Sequence, residues 1–194
     1  MGSDPNAAHC RVPAEERLNV FALVIYIGGP LGLFLDDLRR ELVPSYNPHA
    51  HVSVLPPRVL AGDWMEASNQ ARALIEGWPP FEVELTDVNI FPATNVVYLE
   101  IGKGAPELVN MHRAMNQGPL EFDEPFAYHP HITLAQETPV DSVASVYAEA
   151  RRRWQEYSGP RTFRADHAVF VQNTLNNCWI DLAEYHFGAV LARI

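Results

Sequence analysis

The most restrictive feature of this sequence is a pattern of apolar runs and amphipathic stretches that passes through a β-α-β-α-β order and then starts again. The run LNVFALVIYI (18–27), ended by two glycines, reads as a buried strand. A helix is expected over about 31–43, with Leu31, Phe34, Leu35, Leu38 and Leu42 on one stripe. HAHVSVL (49–55) is a strand stopped by Pro56 and Pro57, and a helix follows at about 64–77, where Asp63 and Glu66 supply a start like a capping box. FEVELTDVNIF (81–91) alternates with period two, as a half-buried strand does. The order then restarts: strand 95–101, helix 106–117, strand 129–135, helix 139–157 capped by Thr138, and strand 161–172 with 178–185 pairing back on it. Corresponding positions lie about 80 residues apart, too long a period for a solenoid. Two related lobes about a pseudo-twofold axis are the expected outcome. GPLEFDEPFA (118–127) is the most loop-like stretch, just ahead of the second half's middle strand.

Both halves carry the same polar ladder in their second strand: His49, His51 and Ser53 in the first, His129, His131 and Thr133 in the second. Positions two apart on a strand share a face, so each trio points one way. Ala50, Val52 and Val54, and likewise Ile132 and Leu134, point the other way into a core. A twofold axis would bring two imidazoles and two hydroxyls into one cleft. Imidazole titrates near neutrality, so one ring can accept a proton while the other, already protonated, donates one. In-line displacement at phosphorus needs such a base and acid, and the hydroxyls can hold the non-bridging phosphate oxygens.

The paired motif, HVSV at 51–54 and HITL at 131–134, resembles the repeated H-x-[T/S]-x signature of the 2H phosphoesterase superfamily, in particular its 2′-5′ RNA ligase-like, cyclic phosphodiesterase branch. The resemblance covers residues from about 18 to 188, with Ser in the first motif where the family more often has Thr. It implies an α+β fold of two pseudo-symmetric βαβαβ lobes with mainly antiparallel sheets, helices on the outside and the active cleft between the lobes. Residues 1–17 would be a flexible leader and 18–194 a single bilobal domain, its halves at about 18–94 and 95–188. The implied activity is metal-independent opening of a 2′,3′-cyclic phosphate on an RNA 3′ end or a small nucleotide, or reversible chemistry at 2′-5′ linkages. His51 and His131 would be the catalytic pair, Ser53 and Thr133 the phosphate-binding pair. No cofactor and no metal are called for.

Other readings of the same residues stay open. The histidines could be a buried hydrogen-bonded pair. H-x-H on a strand is also a metal-chelating spacing, although no carboxylate ligand lies within either motif. The lobes could bind an RNA end or nucleotide phosphate without turning it over. Arg58 could reach a substrate phosphate or be a solvated loop charge. Tyr128 and Phe91 could stack on a base or simply pack, and His49 and His129 could stand at the cleft edge or in solvent. The run Arg151, Arg152 and Arg153 reads as a solvated helix face.

Composition narrows the partners. A formal net charge of −10 disfavours long contact with duplex nucleic acid, because neutralising many phosphates needs a basic face. Two cysteines, Cys10 and Cys178, make no disulfide framework or cysteine-rich metal knuckle. The N-terminal stretch has no apolar core of a signal peptide and no run approaches a membrane span, so the expectation is a cytoplasmic, monomeric protein with no membrane partner.

Overall fold

A computed structural model describes residues 12–43 and 49–188. The proposed leader therefore lies outside the described residues as far as position 11. The part within them is ordered into the fold: a short 3₁₀ turn at Ala14–Glu16 leads into the first strand at Arg17.

Among the described residues, eight strands form two antiparallel four-stranded sheets. The strands are β1 (Arg17–Tyr26), β2 (His51–Arg58), β3 (Phe81–Ile90), β4 (Val97–Ile101), β5 (His131–Ala135), β6 (Thr162–Ala165), β7 (His167–Thr174) and β8 (Trp179–His186). The α-helices among the described residues are α1 (Gly29–Leu42), α2 (Trp64–Glu76), α3 (Ala105–Met115) and α4 (Val140–Glu156). The first sheet has the order β2-β1-β7-β8 and the second β5-β4-β3-β6. The expected mixed α+β, two-lobed architecture is the one found. No helix among the described residues is long and apolar enough to cross a membrane.

The sheets do not coincide with the two halves of the sequence. β3, from the first half, completes the second sheet, while β7 and β8, from the second half, complete the first. The run 161–172 is not one strand. It breaks at Asp166, with β6 paired to β3 and β7 paired to β1. Each lobe is thus closed by the other half's chain, which ties the two sheets together.

Most elements follow from local chemistry. The Asp63 side chain accepts from Met65 N–H at 3.0 Å, starting α2 as expected. Thr138 does not cap α4; the helix begins after Pro139 with no side-chain cap. Pro56 and Pro57 do not stop β2, which continues to Arg58. β2 is an edge strand, where the missing N–H groups of proline break no ladder. The helices bury their apolar stripes on the sheets, with Leu35, Leu38, Ala67, Ala71, Ile75, Leu108, Met111 and Trp154 at most 2% exposed.

Gly32 marks the tightest joint between helix and sheet. A Cβ there would lie 1.8 Å from the carbonyl oxygen of Ile27, where β1 turns into α1. Gly32→Ala is expected to destabilise the protein by about 3 kcal/mol or more, because backbone rather than a mobile side chain must yield. Urea unfolding of the variant checks this, with Gly62→Ala as the control, since a Cβ at Gly62 meets nothing within 4 Å.

Candidate active site

The two ladders occupy the edge strands β2 and β5, which pack beside one another across the gap between the sheets. On the core side, Val52, Val54, Ile132 and Leu134 are fully buried. On the opposite side, His49, His51, Ser53, His129, His131 and Thr133 all line one cleft of about 2340 Å³. His51 and His131 begin their strands, whereas His49 and His129 sit just before them, in the connecting segments. Neighbouring strands supply the flanks. Tyr26 and Val24 stand opposite His51 and Ser53, and Glu100 and Tyr98 stand opposite His131 and Thr133.

Both central histidines are held in the same way. His51 Nδ1 lies 2.9 Å from the carbonyl oxygen of His49, and His131 Nδ1 lies 2.7 Å from that of His129. A carbonyl oxygen only accepts, so Nδ1 carries the proton in each ring. Nε2 is then the basic nitrogen of both imidazoles. Burial pushes the His51 imidazolium down from 6.5 to about 4, with the Arg39 guanidinium adding to the effect and the His49 carbonyl opposing it. A proton on His131 also disfavours one on His51, which places the rings within electrostatic reach of each other. His131 is lowered too, first by burial, while the bond to His129 and the Glu100 carboxylate work the other way.

The surroundings are not symmetric. On the first side, Arg39 donates to the His49 carbonyl at 2.5 Å, and Asp36 accepts from the backbone N–H of Ala50. Tyr26 meets His51 edge-on at 6.3 Å and donates its hydroxyl to Asp181 at 2.8 Å. On the second side, His129 Nε2–H donates to Glu100 at 2.8 Å. Phe91 stacks on Tyr98 at 3.9 Å and meets His131 edge-on at 4.9 Å. Phe91 is therefore part of the wall behind His131.

Arg58 is placed differently from both of its readings, whereas Tyr128 takes the packed one. Arg58 does not line the cleft: it is 2% exposed and bonded to Glu124, Asn116 and the Leu120 carbonyl. The continuation of β2 past the prolines carries it into the interior. Tyr128 lines the cleft, but one ring face is stacked on His112 at 3.9 Å and its hydroxyl is bonded to the Ser53 carbonyl. Arg152 pairs with Glu149 and Glu156 on the surface of α4, as a solvated helix face would.

The residues that sequence reasoning missed at the site are Tyr26, Arg39, Tyr98, Glu100 and Asp181. All reach the ladders through strand register or helix packing, and register is not written locally in the chain. Carboxylates outnumber cations along the cleft: Asp36, Glu124, Glu137, Asp181 and Glu184 against Arg39 and Arg40. No group of three His, Cys, Asp or Glu side chains among the described residues is arranged to hold a metal ion. The arrangement offers two neutral imidazoles with their Nε2 atoms available and two hydroxyl donors one rung further along each strand.

The profile of the 2′-5′ RNA ligase superfamily matches residues 29–177. A relative named "Putative phosphoesterase Bcer98_0945" from Bacillus cytotoxicus is 24% identical over 163 residues, covering 79% of this chain and 91% of its own. The crystal structure of E. coli LigT complexed with 3′-AMP superposes with a TM-score of 0.57 at 12% identity, covering 89% of this chain and 98% of that one. Kluyveromyces marxianus Usb1 superposes with a TM-score of 0.54 at 14% identity, covering 84% and 97%.

Proposed function

This chain belongs to the 2′-5′ RNA ligase superfamily, the 2H phosphoesterases, and on that premise we propose that it opens 2′,3′-cyclic phosphates on RNA ends or small nucleotides with His51 and His131 as its acid–base pair. The observation that carries this reading is the matched pair of Nδ1–H bonds to the carbonyls of His49 and His129. They fix both rings in the tautomer that leaves Nε2 free for proton transfer in a shared cleft.

One imidazole takes a proton from water as the water oxygen bonds to phosphorus. The bond from phosphorus to one ribose oxygen breaks, and the other ring, as imidazolium, protonates that oxygen. A phosphate monoester and a free hydroxyl result. Ser53 and Thr133 donate to the non-bridging oxygens, where negative charge builds. Both rings are held neutral in the free protein, so the imidazolium forms once the anionic diester is in place and favours it. The same geometry with a 5′-hydroxyl in place of water bonds that oxygen to phosphorus and releases the 3′-oxygen as a hydroxyl, which forms a 2′-5′ linkage; attack of the 3′-hydroxyl with departure of the 5′-oxygen reverses it.

The cleft supports a substrate with few phosphates. Its two arginines among five carboxylates do not match a long polyanion, whereas one diester between the ladders needs only the four motif side chains. The LigT fold neighbour crystallised with 3′-AMP fits a ligand of this size.

Incubation with 2′,3′-cyclic AMP, followed by phosphorus NMR, tests the proposal. The expected result is conversion of the cyclic signal to a monoester at a rate unchanged by EDTA. A bound but unconverted cyclic phosphate would turn the reading into a binding module. Dependence on added metal would remove the two-histidine scheme.

A further inference from the structure

The two ladder strands are both sheet edges, and an edge leaves carbonyls that need partners. β2 has an additional irregularity. Ser53 pairs with Val24 and Leu55 with Leu23, so Val54 is an extra residue in the ladder, a bulge within the first motif. Two carbonyls on this stretch are satisfied by side chains from the second half of the chain. Tyr128 donates its hydroxyl to the Ser53 carbonyl at 2.8 Å, and His112 Nδ1–H donates to the Val54 carbonyl at 2.9 Å.

Those two donors are one unit. The Tyr128 and His112 rings stack at 3.9 Å with 4° between their planes. His112 Nε2 lies 3.6 Å from a Glu124 carboxylate oxygen, which also accepts from Arg58 at the end of β2. Arg58 further donates to Asn116 and to the Leu120 carbonyl, and Asn116 bonds the backbone of Phe122 in both directions. The network thus joins β2 at three points to α3 and to the segment that leads into β5. Tyr128 is the residue immediately before His129. The strand that carries His51 and Ser53 is therefore anchored by the chain that delivers His129, His131 and Thr133.

We propose that the Tyr128–His112 stack, backed by Glu124 and Arg58, is the brace that sets the spacing of the two catalytic ladders, with Tyr128 acting as a positioning residue for Ser53. This rests on the two-histidine reading above. Rate at a phosphoryl centre falls steeply with small errors in the placement of base, acid and hydroxyl, so the brace acts on turnover more than on ground-state binding. Its parts suit a fixed distance. The stack is planar, Arg58 and His112 are 2% and 9% exposed, and burial together with the Glu124 charge keeps the Tyr128 phenol protonated as a donor.

Tyr128→Phe keeps the ring and its stack and deletes only the bond to Ser53; Tyr128→Leu deletes both. With 2′,3′-cyclic AMP, Tyr128→Phe is expected to lower kcat about tenfold and Tyr128→Leu about a hundredfold, with KM changed less than about twofold. Amide hydrogen exchange at 53–55 is expected to quicken in both variants, while that of β7 stays as in the unmodified protein. Unchanged kcat, or a rise in KM alone, overturns the brace, the latter because it marks Tyr128 as a substrate contact. Should the unmodified protein not turn over cyclic AMP, the functional reading fails and the exchange data decide the brace by themselves. Unchanged protection at 53–55 in Tyr128→Phe would overturn it.

Discussion

His51→Ala and His131→Ala should each lower the rate of cyclic-phosphate opening by about 10²–10⁴-fold while leaving the protein folded. The two rings supply different proton transfers in one displacement, so neither can stand in for the other. Both occupy the cleft face of their strands, and the core residues between them, Val52 and Ile132, are untouched by the change. The double variant should be little slower than either single one, since removing one half of a concerted acid–base pair already forfeits most of the benefit. Ser53→Ala and Thr133→Ala should cost less, because each deletes one hydrogen bond to a phosphate oxygen and no proton transfer. Initial rates with 2′,3′-cyclic AMP, alongside circular dichroism of each variant, give the comparison. Full activity in either histidine variant would end the two-histidine scheme.

The ladders were legible because a strand writes its two faces into alternate positions. His49, His51 and Ser53 interleave with Ala50, Val52 and Val54, and each of those three apolar residues is at most 2% exposed. The exchange of strands between lobes was not legible in the same way. No glycine or proline marks the break at Asp166, and the run 161–172 reads as continuous. The trace it leaves is a change of parity: Ala165 is buried with odd-numbered partners, and Ala168 and Phe170 then fill the core from even positions. Arg58 was misjudged for a related reason. Two prolines ordinarily end a strand, but at a sheet edge they do not, and the arginine that follows them is carried inward to Glu124. The asymmetry of the site, Arg39 behind one ladder and Glu100 behind the other, depends on packing across 10 to 29 positions of chain, which no local pattern records.

Burial of His51, with Arg39 beside it, gives the protein a definite response to acid. His51 takes up its proton near 6.5 when unfolded and near 4 when folded. Between those values the unfolded chain binds the extra proton and the native one does not, so stability falls as pH drops. The contribution of His51 is fully present above 6.5, declines through the interval, and is gone below 4, a loss of up to about 3 kcal/mol. His51→Gln removes the titrating group, so urea unfolding at pH 7 and pH 4 should show a loss smaller by about that amount in the variant. Equal losses would mean that burial does not hold the ring neutral. The groups that act on His51 are Arg39 on α1, His49 and His131, with Tyr26 edge-on to the ring and Asp181 behind it; Asp36 is bonded to the backbone of the neighbouring Ala50. Asp36, whose carboxyl is raised by burial, opposes the acid loss because the native state binds its proton first, and the difference between the two proteins cancels that contribution. Catalysis should follow the same displacement. Both rings are lowered in the free protein, so the bell of kcat/KM, which needs one ring neutral and one charged, should peak on the acid side of 6.5. A bound diester anion favours imidazolium and should move the kcat bell to higher pH than the kcat/KM bell. Coincident bells, or a kcat/KM optimum above neutrality, would show that the substrate phosphate does not sit between these two rings.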